Sequence, residues 1–215
     1  PASPAAEAGT TNGLMRYDGT AVVGGARDIG AYESPFVPDG ANTYYVNDSS
    51  TSGDIYTCLA GSDVASCGDT PGDPCATVNF LLSQWNLGPG DTVYVDTGQY
   101  GMNAITRISN ADADGTPAAP ITFQGVSGGL STFSNTLPVP PNAGITLSNA
   151  KNVRVYDFRV RGFSNGIFIR EFGGQRATNN VIRNCTLLSN LYFGVQILGA
   201  FASANRVVSN AFEGK

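Results

Sequence analysis

The chain repeats itself with a period that few folds can use. Gly144-Ile145-Thr146-Leu147, Gly166-Ile167-Phe168-Ile169 and Gly194-Val195-Gln196-Ile197 match position by position, 22 and 28 residues apart. A second phrase recurs between them. Asn152-Val153-Arg154-Val155-Tyr156-Asp157, Asn179-Asn180-Val181-Ile182-Arg183-Asn184 and Asn205-Arg206-Val207-Val208-Ser209-Asn210 stand 27 and 26 residues apart. Two short strand-like phrases per period of roughly 20–30 residues mark a solenoid. The competing reading is a Greek-key sandwich with chance similarity. Strand alternation places Val153, Val155, Ile167 and Ile169 on one face, which turns inward. Asp157, Asn184 and Asn210 are then expected at one bend in successive coils, where side-chain amides satisfy bent backbone.

Upstream of the repeats, Thr43 to Val46, Asp91 to Asp96 and Ile121 to Phe123 read as strands. Between the first two, Val78, Leu81, Leu82 and Trp85 have the i, i+3, i+4, i+7 spacing of an amphipathic helix over Thr77 to Trp85. Gly88-Pro89-Gly90 ends it. The extra length of the later repeats falls into Arg170 to Arg176 and Leu198 to Ser203. Both follow equivalent strands, so both should project from one side, where solenoids carry binding function.

Residues 1–35 are rich in Ala, Gly and Pro and cannot bury a core alone. They hold Ser3-Pro4-Ala5-Ala6-Glu7-Ala8-Gly9, then Arg16-Tyr17-Asp18-Gly19, then Arg27-Asp28-Ile29-Gly30-Ala31-Tyr32-Glu33. In that order these segments resemble the closing phrase of large secreted right-handed parallel β-helix, pectate-lyase-like proteins. Tyr44-Tyr45-Val46-Asn47-Asp48 resembles the opening of another such β-helix. The tail of one unit thus precedes the head of the next. The resemblance implies a right-handed parallel β-helix whose first coil is plugged by the helix at Thr77 to Trp85. The expected organisation is an arm over residues 1–35, a linker over 36–42 and an all-β solenoid over 43–215.

Composition narrows the chemistry. Charged residues make up 13% of the chain and net charge is −5, so nucleic acid and anionic membrane are not expected partners. No apolar run approaches the ~20 residues that span a bilayer. The first residues hold no charged-then-apolar leader, so a mature chain with any signal peptide already removed is expected. There is no histidine, which removes the commonest general base and metal ligand.

Cys58, Cys67 and Cys75 crowd one Gly/Asp/Pro-rich loop, while Cys185 is remote. Their spacing is not that of a zinc knuckle. A local disulfide is expected, with Cys67–Cys75 favoured because Pro71 and Pro74 stiffen that loop; the other local pairings stay open. Cys185 reads as a buried apolar residue.

The resemblance brings polysaccharide lyases and glycoside hydrolases into view. A lyase of this kind holds Ca²⁺, which needs about six to eight oxygen ligands, beside a Lys or Arg base. Asp112 and Asp114 are the best local carboxylates, in a loop that also reads as a plain solvated turn. Asn47-Asp48-Ser49-Ser50 with Asp54 is a second oxygen-rich loop. Lys151, Arg159, Arg161 and Arg170 are candidate bases, and Arg159 and Arg161 alternate outward like a solvated stripe. Asp157, Glu171 and Glu213 form no adjacent carboxylate pair of the kind a hydrolase needs. No catalytic residue is assigned, no cofactor is expected, and Ca²⁺ is the one metal the pattern admits.

Two N-glycosylation sequons occur. Asn47-Asp48-Ser49 is expected in an exposed loop that accepts a glycan. Asn184-Cys185-Thr186 is expected to be ladder structure. The leading functional expectation is an extracellular or cell-surface structural module. The last repeat begins at Asn205, so Asn205, Val207 and Val208 are expected at an open end. Asp28, Ile29, Gly30, Ala31 and Tyr32 of the next copy would complete it, giving head-to-tail filaments; the competing reading is a piece of a long tandem protein in which the same contact is covalently continuous. A carbohydrate-active enzyme or a carbohydrate-binding fragment, with polysaccharide as partner, is the second expectation.

Overall fold

A computed structural model describes residues 41–214 except Met102, Asp112 and Pro140. The expected arm, with Asp28 to Tyr32, lies outside the described residues. In chain order the elements are β1 (Thr43–Val46), α1 (Val78–Gln84), β2 (Thr92–Val95), β3 (Gly98–Tyr100), β4 (Thr106–Ser109), β5 (Ile121–Gly125), β6 (Ser131–Ser134) and β7 (Ala143–Ser148). They continue with β8 (Val153–Tyr156), β9 (Phe158–Arg161), β10 (Asn165–Arg170), β11 (Val181–Arg183), β12 (Thr186–Leu188), β13 (Phe193–Leu198), β14 (Arg206–Val208) and β15 (Ala211–Glu213). They form three sheets, ordered β1-β2-β5-β8-β11-β14, β13-β10-β7-β4 and β15-β12-β9-β6-β3. Every pairing between these strands is parallel. Each neighbour in a sheet comes from the adjacent turn of chain, which is the right-handed parallel β-helix that the repeats required.

The repeat register is borne out in the sheet of β4, β7, β10 and β13. Ile167 pairs with Ile145 on one side and Val195 on the other, and Ile169 with Leu147 and Ile197. Val153, Val155, Ile167 and Ile169 are fully buried. The leading glycine of each phrase has a steric cause. A Cβ on Gly144 would collide with Val160 and the Phe163 ring, and one on Gly194 with the Phe212 ring. The glycine column makes room for the next coil's inward side chain.

Two expectations need correction. Each full coil holds three strands, not two. The unexpected sheet (β3, β6, β9, β12, β15) has strands of only three or four residues, and β9 follows β8 across the single residue Asp157. The second correction concerns the bend. Asp157 and Asn184 do correspond, both left-handed at φ 65° and 56°, but the next residue in that column is Ser209 at φ 54°. Asn210 lies one position further on and reaches back, accepting from Cys185 N–H at 2.8 Å and donating to Ile182 C=O at 3.0 Å.

That reach-back is general. Asn180 accepts from Val153 N–H and donates to Ala150 C=O. Asn190 does the same for Phe163 and Val160, and Asn205 for Asn180 and Ala177. In each case a carboxamide of one coil clamps an N–H and the carbonyl three residues before it in the previous coil. The bend's orphaned backbone groups are satisfied without turn hydrogen bonds of their own.

The end near α1 is closed. Thr77 caps the helix, accepting from Phe80 N–H, and Val78, Leu81 and Leu82 are buried. The Asn79 side chain donates to Ile105 C=O and accepts from Arg107 N–H, pairing with the edge of β4 as a strand would. The free edge of β1 is taken by the cysteine loop, through Tyr45 N–H to Gly68 O, Cys75 N–H to Tyr45 O and Asn47 N–H to Cys75 O. Asp48 accepts from Gln99 N–H on β3. All three sheet edges are blunted there, as exposed edges otherwise invite pairing.

Candidate functional site

Among the described residues the opposite end is open, and β13, β14 and β15 are the last described strands of their sheets. Their inward side chains continue buried columns yet face solvent. Ile197 is 42% exposed above Ile169 at 0%, Val207 is 39% exposed above Ile182 at 0%, and Phe212 is 56% exposed above Leu187 at 2%. Phe193 and Leu198 are exposed beside them. By register with the coil before, the N–H of Asn205 and Asn210 and the carbonyls of Ala202 and Val207 face the side where a further coil would clamp them. Among the described residues, Asn205, Val207 and Val208 therefore lie on an apolar edge with no strand paired beyond it.

A cleft lies on the outer face of the sheet of β4, β7, β10 and β13. Arg107, Thr146, Phe168 and Gln196 share one register row across four strands. Arg107, Thr146, Asn165, Phe168, Arg170 and Tyr192 line the cleft, with no carboxylate among the described lining residues. The Arg170 guanidinium lies 5.9 Å from the Phe168 ring and 5.7 Å from the Phe172 ring. Arg170 Nε and Asn165 Oδ1 are buried without a hydrogen-bond partner among the described residues. Only Arg170 of this group was a sequence-derived candidate. The others come from strands spaced far apart in sequence, which register alone brings together.

The two long turns follow the paired strands β10 and β13, on one side as expected, and they also contact each other. Glu171 accepts from Ala200 and Phe201 N–H, at 2.9 and 2.7 Å. Arg176 lies 5.6 Å from the Phe201 ring.

Asp112 lies outside the described residues. Asp114 forms an ion pair with Lys151, Oδ2 to Nζ 3.2 Å, so the calcium candidate and one candidate base contact each other. Both side chains are partly exposed, which limits what the pair contributes. Asp54 does not stand free in its loop. It accepts from Asn47 Nδ2 at 2.6 Å, and burial, followed by the charges of Asp96 and Asp48, raises its carboxyl above the ordinary range. Sequence reasoning missed Asp96. It is fully buried and accepts from Ile55, Tyr56, Thr57 and Thr97 N–H and from the Thr57 hydroxyl, pinning the loop around Asp54.

Asn47, the expected glycan acceptor, is not exposed as expected. Asn47 is fully buried, and its Nδ2 donates to Ser50 O, Asp54 Oδ2 and Leu59 O. A sugar on that nitrogen is incompatible with this loop.

Cys67 and Cys75 form a disulfide, as favoured, with Cα atoms 5.0 Å apart. They and Asp63 are the one group among the described residues with metal-ligand proximity. The thiols are consumed in the bridge, and Asp63 accepts from Ala76 N–H, Thr77 N–H and Thr77 Oγ1. Cys58 is free and exposed, and Cys185 is free and buried. Burial pushes the Cys185 thiol up to about 12, so it stays protonated and inert at neutral pH. Alkylation of the native, unreduced protein at pH 8 should label Cys58 alone. Denaturant should add Cys185, and reduction the remaining two. Native labelling of Cys185 at the rate of Cys58 would contradict this packing.

No described helix is long and apolar enough to cross a membrane. No known family profile matches the sequence, and no curated protein matches it. Among solved structures the chain is similar to an alginate lyase from Paenibacillus sp. str. FPU-7, at TM-score 0.43 and 19% identity. The match covers 64% of this chain and 56% of that one. The fold assignment rests on the sheet registers described above.

Proposed function

We propose that this protein is an extracellular structural β-helix module that adds strands at its open end, in head-to-tail association with copies of itself. The observation that carries the reading is the contrast between the two ends. One end has every sheet edge covered by α1, Asp48 and the disulfide loop. At the other, no described residue covers the three parallel edges or the apolar interior. Direct stacking of β14 on the β1 of another copy is obstructed, because β1 is already paired with Gly68 and Cys75. The covering strands must come from elsewhere. Residues 1–35, with Asp28 to Tyr32, are the segment of this chain that resembles the end of a β-helix. Strand addition supplies main-chain hydrogen bonds together with apolar burial. Replacing Ile197 and Phe212 with Lys should leave the monomer folded and abolish association seen by light scattering. Unchanged association in that double variant would refute the reading.

The cleft favours a second reading, binding of an acidic saccharide. Two arginines without a lining carboxylate, in a chain of net charge −5, form a local cationic surface. Guanidinium forks match carboxylates, and Phe168 and Tyr192 offer apolar contact. Arg107→Ala and Arg170→Ala should each weaken binding of an oligouronate about tenfold or more, at roughly 1.5–3 kcal/mol per charged hydrogen bond. Calorimetry checks this. Equal affinity for a neutral oligosaccharide would remove the reading.

A further inference from the structure

The two sequons exchange roles in the fold, and the exchange points to a modification site. Asn184 is exposed at the two-residue bend, Asn184-Cys185, between β11 and β12. Its backbone N–H donates to Val208 C=O, and among the described residues no side-chain hydrogen bond holds its amide. The residue before it in the column, Asp157, accepts from Gln124 Nε2 instead. Asn184 is thus excused from both the ladder and the clamps, which fall to Asn180, Asn190, Asn205 and Asn210. Two residues on, Thr186 sits on the outer row with Arg159 and Ala211, while Cys185 between them is buried.

We propose that Asn184 is the N-glycosylation acceptor of this chain and that Asn47 is not. A glycan is bulky and belongs on the surface, so a sequon compatible with the fold presents an exposed asparagine. At Asn47 a glycan would displace three hydrogen bonds of a fully buried amide. At Asn184 it displaces none and projects from the corner between two sheets. In the transfer, Nδ2 attacks C1 of a polyprenyl-diphosphate-linked oligosaccharide. The N–C1 bond forms, the C1–O bond to the diphosphate breaks, and the amide loses one proton as the lipid diphosphate leaves. The disulfide Cys67–Cys75 fits the oxidising compartment where this reaction runs.

The test is expression of the full chain behind a cleavable secretion leader in a eukaryotic secretory host. Mobility and peptide mass are then read before and after treatment with peptide-N-glycosidase. One glycan is expected on the wild type and on Asn47→Gln. None is expected on Asn184→Gln or on Thr186→Ala, whereas Thr186→Ser, which preserves the sequon with a similar outward hydroxyl, should carry it again. A wild type secreted without glycan, or a glycan that survives Asn184→Gln, overturns the assignment.

Discussion

Deletion of residues 1–35 is expected to abolish head-to-tail association and leave a monomer with a sticky end. The open coil exposes Phe193, Ile197, Leu198, Val207 and Phe212. Covering such side chains is worth about 1.5–3 kcal/mol each when burial is complete, before the cost of ordering the arm. Even part of that sum lowers the concentration needed for association by several powers of ten. Because one end offers strand edges and the other does not, the contact joins unlike surfaces. It propagates as an open filament unless its rotation closes a ring. Sedimentation velocity and negative-stain microscopy on the full and shortened chains read the outcome. Adding the separate 1–35 peptide to the shortened chain should cap the end and suppress nonspecific aggregation. Filaments that persist unchanged without residues 1–35 would refute the arm's role.

Asn180→Ala should be among the most destabilising single changes in the solenoid. Asn180 is fully buried, and its carboxamide serves Val153 N–H, Ala150 C=O and Asn205 Oδ1. Val153 and Ala150 are also fully buried. Truncation orphans one donor and one acceptor, each costing about 1–3 kcal/mol. A loss of roughly 2–6 kcal/mol corresponds to a Tm lower by on the order of 10 °C. Hydrogen exchange at Val153 should accelerate with it. Asn179→Ala removes a bond to Asn152 from a half-buried position and should cost far less. A Tm for Asn180→Ala within a degree or two of wild type would show that the clamp carries no stability.

The architecture was legible because parallel stacking forces equivalent residues into register. Gly144, Gly166 and Gly194 announced it, together with the apolar positions that follow them. The sheet of β3, β6, β9, β12 and β15 was not legible. A bend of one or two residues around a left-handed Asp157 or Asn184 leaves no Gly/Pro punctuation, so two strands read as one. The Asn210 error has a related origin. Matching Asn to Asn gives 26 residues, whereas the coil is 25 residues long, with Val181 over Arg206. The adjacent pair Asn179-Asn180 makes either alignment plausible on paper. Only the clamp geometry distinguishes the two residues. The Asn47 loop misled for another reason. Its polar composition is that of a surface turn, but Asp96 gathers the N–H groups of Ile55, Tyr56 and Thr57 inward from 39 to 41 positions further along the chain. The cleft was the least legible, since its residues converge from four strands with no local motif.

The clamps also set a timetable for biosynthesis. The sealed end carries the earlier residues, so it leaves the ribosome first and needs nothing downstream to seat α1 against β4. Each later bend must wait. Val153 is secured by an amide 27 residues further on, Phe163 by one 27 residues on, and Asn180 and Cys185 by amides 25 residues on. At roughly 5–20 residues per second of translation, each bend stays unlocked for about 1–5 s after it emerges. Winding during synthesis therefore trails the ribosome by one coil, and the newest coil is always the one without its lock.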